Sequence, residues 1–104
     1  MITQIRIYTI NRGAMDDFLK HFHDETMPLH EKVGIPIVAT FVHRPQNEFI
    51  WVRTYADEAD RAAKTKAFQD AAREAGVVLG GHVAKMEIRE AEPAFAAVGA
   101  GARA

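Results

Sequence analysis

The sequence predicts an α+β domain in which a strand–helix–strand unit occurs twice. Three observations carry this. Gln4-Ile5-Arg6-Ile7-Tyr8-Thr9-Ile10 alternates with the period of a strand and leads through a short turn into a helical stretch from Ala14 to Val33. Phe49-Ile50-Trp51-Val52-Arg53-Thr54-Tyr55 alternates again and leads through Asp57 into a second helical stretch. Each helical stretch is followed by a further strand-like segment. In the order βαββαβ these units describe a ferredoxin-like fold, an antiparallel sheet with both helices on one face. The other face also carries large side chains and so needs a partner.

Each element has its own signature. Residues 2–10 form the first strand, with Ile5, Ile7 and Thr9 pointing one way and Gln4, Arg6, Tyr8 and Ile10 the other. Asn11-Arg12-Gly13 is a turn, with Gly13 as its positive-φ residue. The first helix presents Met15, Phe18, Leu19, Phe22, Thr26, Leu29 and Val33 at steps of three and four, and Gly34 caps it. Pro28 lacks a backbone donor, so a kink or break is expected near Met27. Ile35 to Arg44 is the second strand, Pro45-Gln46-Asn47 a hairpin turn, and Glu48 to Ala56 the third strand. Asp57 reads as an N-cap with Asp60 three residues on. The second helix, Glu58 to Ala75, has a small inner stripe of Ala59, Ala63, Ala67 and Ala71 with Phe68 at its edge, and Gly76 ends it. Val77 to Gly81 is a connector. His82 to Glu90 is the fourth strand, with Ala84, Met86 and Ile88 opposite Lys85, Glu87 and Arg89. Residues 91–104 are an Ala- and Gly-rich tail, in which Phe95 and Val98 are expected to dock on a neighbouring subunit.

The bulk numbers set limits. At 104 residues the chain is one domain, residues 1–90, followed by the tail. Its 48% hydrophobic and 26% charged residues are ordinary for a soluble globular protein. A formal net charge of -1 gives no electrostatic case for nucleic acid, and the lack of extended basic clusters argues against a membrane-surface anchor. Without cysteine, disulfides, zinc-thiolate sites and a cysteine nucleophile are excluded. No secretory leader or apolar run of about 18 residues is visible, so a cytoplasmic location is expected.

Two right-handed crossovers place both helices on the same face of the sheet. The helix side is expected to receive the aliphatic parity, Ile5, Ile7, Ile50 and Val52. Arg6 and Tyr8 then join Phe49, Trp51, Arg53 and Tyr55 on the opposite, open face. Four clustered aromatic rings there would expose a patch that monomers rarely tolerate, so a second copy is expected to cover it.

The run Arg6-Ile7-Tyr8-Thr9-Ile10-Asn11-Arg12-Gly13 followed by an amphipathic helix resembles the opening motif of NIPSNAP domains. Asn47, Trp51, Tyr55, Asp57 and Arg61 match the second unit, and the resemblance covers residues 2 to about 90. It implies a dimeric α+β barrel. The hairpin from Arg44 to Glu48 is short, Ala39 stands where a glycine is common, and the second helix is unusually rich in alanine; these departures bear on pocket shape. The resemblance brings no agreed catalytic residues and no cofactor. Related dimeric barrels include cofactor-free monooxygenases, small-lactone isomerases, haem-handling proteins and non-enzymatic relatives, and fold alone does not choose among them.

Two constellations could carry chemistry. Asp17, His21 and Glu25 share a helix face at steps of four, with His23, Asp24 and His30 nearby, but the set does not converge within one helix. A solvated or interfacial rim is the better reading, and no metal is expected. Arg6, Tyr8, Trp51, Arg53 and Tyr55, with His43 or His82 as further candidates, are the ligand-binding set. Arginines beside tyrosines can hold a carboxylate or stabilise developing negative charge. A structural network with the arginines paired to Glu48 or Glu87 is the other reading. Serine is absent, no Gly-rich phosphate loop is present, and no histidine spacing selects a haem ligand. The sequence therefore leads to a homodimer that binds a small organic molecule, anionic or aromatic, with catalysis left open. Arg6, Arg53 and Tyr55 would orient the anion and Trp51 would stack on the apolar part. A non-catalytic module whose inner sheet face serves only homodimerisation is the alternative.

Overall fold

A computed structural model describes residues 1–95. The elements run β1 (Ile2–Ile10), α1 (Met15–His21), a π-helical turn (Phe22–Thr26), α2 (Met27–Val33), β2 (Ile37–His43), a 3-10 turn (Arg44–Gln46), β3 (Glu48–Tyr55), α3 (Glu58–Ala75) and β4 (Val83–Ala91). The four strands form one antiparallel sheet in the order β2-β3-β1-β4. This is the βαββαβ arrangement expected from the sequence, with β1 and β3 as the central pair. Phe95 is 90% exposed in the single chain. Val98, the other tail residue expected to dock, lies outside the described residues.

The helix ends follow from their residues. Gly34 adopts φ 80°, and the Ile35 amide reaches back to the His30 carbonyl at 2.9 Å. Gly76 repeats the device at φ 69°, with the Val77 amide on the Ala72 carbonyl at 2.9 Å. Asp57 accepts from the Asp60 amide at 2.8 Å, and the Asp60 carboxylate accepts from the Ala56 amide at 2.8 Å. That backbone bond, together with Lys64, holds the Asp60 carboxyl below its usual range. The kink expected at Met27 takes the form of the π-helical turn just before it. Pro28 sits in the first turn of α2, where a missing amide proton does least harm.

The sheet faces are the reverse of the expectation. Tyr8, Phe49, Trp51, Arg53 and Tyr55 are each at most 9% exposed and pack beneath the chain's own helices. Phe18 and Phe22 meet Phe49 at 4.9 and 4.7 Å between ring centroids, and Phe22 meets Trp51 at 5.0 Å. Ring volume decides this. An aromatic side chain buries roughly 150–250 Å², worth about 4–6 kcal/mol at ~25 cal/mol per Å² as an upper figure. A valine or isoleucine has less apolar area to bury and gains correspondingly less on the same scale. The open face carries Ile5, Ile7, Ile50 and Val52, half-buried, with Ala39 and Phe41 beside them on β2.

The interior divides in two. Tyr8, Ile10, Met15, Phe18, Phe22, Phe49 and Trp51 form one apolar cluster. Leu29, Ile35, Tyr55, Phe68, Ala71 and Ala72 form the other. The alanines let α3 approach closely, and Phe68 fills the space they leave. Replacing Asp57 by alanine removes the acceptor for the Asp60 amide. It is expected to lower stability by about 1 kcal/mol in urea or guanidinium unfolding.

Candidate functional site

Among the described residues four polar side chains are buried in the core, Gln4, Thr26, His30 and Arg53, and they lie in the same region, alongside the partly buried Arg6. The Arg53 guanidinium donates from Nε to Gln4 Oε1 at 2.8 Å and from Nη1 to His30 Nε2 at 3.0 Å. Arg6 donates from Nε to the Tyr8 hydroxyl at 2.9 Å and from Nη1 to Gln4 Oε1 at 3.1 Å. The Gln4 amide nitrogen donates to Glu90 at 2.8 Å, which turns its carbonyl oxygen toward both arginines. The same Glu90 oxygen is also bound by Arg61, which pairs with Glu58 as well. Glu90 therefore bonds to the Gln4 amide and to neither buried guanidinium, although its charge and that of Arg6 act on each other. Glu48 and Glu87, the partners expected for the arginines, pair with neither; Glu87 is bound by Lys85 and Arg89.

Aromatic faces supply the rest of the cationic environment. Arg53 lies 5.2 Å from the Trp51 ring centroid, 5.7 Å from that of Tyr55 and 5.9 Å from that of Phe68. Arg6 lies 5.4 Å from Trp51 and 5.6 Å from Tyr8. Burial, followed by the charge of Arg6, lowers the pKa of Arg53. The buried Trp51 Nε1–H finds no hydrogen-bond partner among the described residues, and the Tyr55 hydroxyl makes no bond of good geometry there, although it lies near enough to Arg53 to favour its charge. The region is short of acceptors and of negative charge.

These groups border a cavity of about 220 Å³ between sheet and helices. Arg6, Tyr8, Trp51, Arg53 and Tyr55 line it from the sheet, Phe18, His21, Phe22, Thr26 and His30 from the first helical segment, and Thr65, Phe68 and Gln69 from α3. Leu79, Gly80, Gly81 and Met86 complete its wall. His21 ties this connector down: Nδ1 meets Glu25 and Nε2 meets the Val78 carbonyl, each at 2.9 Å.

The structure thus brings together five of the six ligand-binding candidates. His43 is exposed on the open face, opposite Glu48, and lies outside the cavity. His82 is exposed with φ 69° and does not line the cavity either. The first-helix histidines separate: His23 pairs with Asp24, His21 turns to the connector, and His30 enters the core. Among the described residues no three His, Asp or Glu side chains converge as a metal site. Among the described residues no helix is long and apolar enough to cross a membrane.

Sequence reasoning missed Gln4 and His30. Gln4 shares the strand parity of Arg6 and could have been found from that alone. His30 falls on the rim of a regular helical wheel, and the π-helical turn shifts the phase of every residue beyond it. Its Nδ1 faces the Thr26 carbonyl at 2.9 Å. A carbonyl only accepts, so Nδ1 carries the proton and Nε2 keeps a lone pair for Arg53. Burial pushes the His30 pKa down to about 4, against the Thr26 bond and helped by Arg53 and Arg6.

A family model for NIPSNAP matches residues 3–89. No curated protein sequence matches the chain. Among solved structures, an uncharacterized NIPSNAP domain protein from Burkholderia xenovorans superposes with a TM-score of 0.82 at 18% identity, covering 95% of this chain and 100% of that one. A NIPSNAP family protein with unknown function from Agrobacterium tumefaciens gives 0.80 at 22% identity, covering 93% and 91%. A MhuD variant with two manganese protoporphyrin IX bound per active site gives 0.71 at 15% identity, covering 95% and 100%. At these identities the structural likenesses establish the fold.

The buried neutral His30 links stability to pH. Its folded pKa lies below the unfolded value of 6.5, so the unfolded chain takes up the proton first. The contribution is complete above pH 6.5 and is lost as pH falls toward 4, by on the order of 3 kcal/mol in total. Urea unfolding from pH 7 to pH 4 is expected to show a steeper loss for the wild-type chain than for His30→Gln.

Proposed function

From the premise that the chain belongs to the NIPSNAP family, we propose that it is a homodimeric protein that binds a small organic anion with an apolar or aromatic body, one per subunit. One observation carries this reading: Arg6 and Arg53 border the same cavity, and every hydrogen-bond partner they have among the described residues is neutral. A carboxylate entering there meets two cations with unused donors. The cavity of about 220 Å³ is below the roughly 300–1,000 Å³ of drug-sized sites, which favours a ligand of one ring. Its apolar part would rest on Phe18, Phe22, Phe68 and Leu79. Trp51 lies close to both guanidiniums, so its role is to support the cations more than to stack on the ligand. A tetrapyrrole is a poor fit: the cavity is small and the free nitrogen of His30 is taken by Arg53.

Support for a homodimer comes from the open face, and with the opposite parity to that expected. Ile7, Ile50 and Phe41 form one cross-strand row, and Ile5, Val52 and Ala39 another. Phe41 is 58% exposed in the single chain. Lys85, Glu87 and Arg89 of β4 flank the apolar rows with charge. An aliphatic patch with a charged margin suits a second copy of the same sheet. The alternative, an aromatic face used only for self-association, loses its premise because the chain's own helices cover that face.

The single Trp51 is a built-in reporter of the cavity. Benzoate is expected to change its fluorescence saturably, benzamide is not, and Arg53→Gln should weaken benzoate about tenfold or more. Equal responses to acid and amide, or an unaltered response in Arg53→Gln, would remove the anion reading. In a separate test, Ile50→Lys on the open face is expected to shift the chain to monomer in light scattering, while an unchanged mass would rule out this interface.

A further inference from the structure

His30 sits where an apolar residue would be expected. It is 1% exposed, its ring stands edge-on to Trp51 at 5.2 Å and lies against Phe68 at 4.5 Å. A leucine would fill such a place without desolvating two polar nitrogens. The imidazole instead spends both nitrogens on fixed partners. The Thr26 carbonyl at 2.9 Å takes the Nδ1 proton, and that choice of tautomer leaves Nε2 able only to accept. The group it accepts from is Arg53 Nη1, at 3.0 Å.

The second hold on Arg53 is at Nε, by Gln4 Oε1 at 2.8 Å. Gln4 is itself oriented by its bond to Glu90. With Nε and one Nη1 proton engaged, three of the five guanidinium N–H groups remain, both on Nη2 among them. The two neutral acceptors thus fix the group from two directions, at Nε and at Nη1, and leave the Nη2 protons for a ligand. Neither compensates the charge, which distinguishes them from a structural ion pair.

We propose that His30 is a positioning residue for an aromatic carboxylate: its unprotonated Nε2 fixes the Arg53 guanidinium among the rings of Trp51, Tyr55 and Phe68, so that Nη2 is presented to the carboxylate. The inference rests on the anion-binding reading above and assigns the residue that sets the geometry of that site. An acceptor at this place is what matters, so a glutamine, which can donate to Thr26 and accept from Arg53, substitutes for the histidine, and a leucine does not.

The test uses the full chain, with benzoate as the probe and two readouts. By Trp51 fluorescence, His30→Leu is expected to bind benzoate about tenfold more weakly or worse, and His30→Gln to recover to within about threefold of wild type. By nitrogen-15 NMR at neutral pH, the His30 ring is expected to carry its proton on Nδ1, and an Arg53 Nη1 proton to be visible in wild type and His30→Gln but lost to exchange in His30→Leu. A folded His30→Leu with wild-type affinity overturns the proposal, as does a proton on Nε2. If His30→Leu does not fold, the wild-type ring tautomer and the Gln variant's affinity decide. Should the unaltered chain take up no benzoate, the anion reading and the carboxylate half of this proposal fall, while the Arg53 signal still decides whether His30 holds the guanidinium.

Discussion

A guanidinium held inside the domain without a carboxylate is the constraint on which the rest of the structure depends. Burying a lone charge is costly, and the usual remedy is an ion pair. This chain keeps the charge of Glu90 one side chain away. The Gln4 amide takes the negative end on its nitrogen and offers the arginines only a carbonyl oxygen. The imidazole of His30, locked in one tautomer by a main-chain carbonyl, offers a second neutral acceptor. Four ring faces spread over Arg6 and Arg53 supply the remaining attraction.

The apolar structure is arranged around this region. The cluster under α1 is built from large rings, and the cluster under α3 from alanines with Phe68 and Tyr55. Large rings on one side and close approach on the other leave a space beside the arginines that neither helix fills. Opposite, the sheet shows solvent a surface of isoleucine and valine in place of aromatic rings. Pocket and aliphatic surface therefore lie on opposite faces of one sheet and share its two central strands.

Much of the fold was legible because its signals are local. The alternation of β1 and β3, Gly34 and Gly76 at the helix ends, and the Asp57 cap each follow from a few neighbouring residues. The candidate set Arg6, Tyr8, Trp51, Arg53 and Tyr55 was legible too, since strand parity alone puts these residues on one face. Which way that face turns was not. Two arginines in the pattern argue for an outward face, and only the network through Gln4 and His30 makes the inward one tolerable. That network joins β1, β3 and α2, and no local pattern records it. The face β2 presents was not legible, since its residues are apolar on both parities, and the bulge between Ile37 and Ala39 carries His43 to the open face.

The π-helical turn at Phe22–Thr26 has a consequence for how this family can vary in length. Such a turn holds one residue more than an α-helical segment covering the same rise. Excising a single residue there would give a smoother, more regular rod. It would also rotate everything downstream by roughly 100° about the axis, swinging position 30 off the guanidinium. Relatives that differ by one residue in this stretch should therefore differ at the arginine clamp as well, so that a gap in an alignment becomes a marker of altered ligand chemistry.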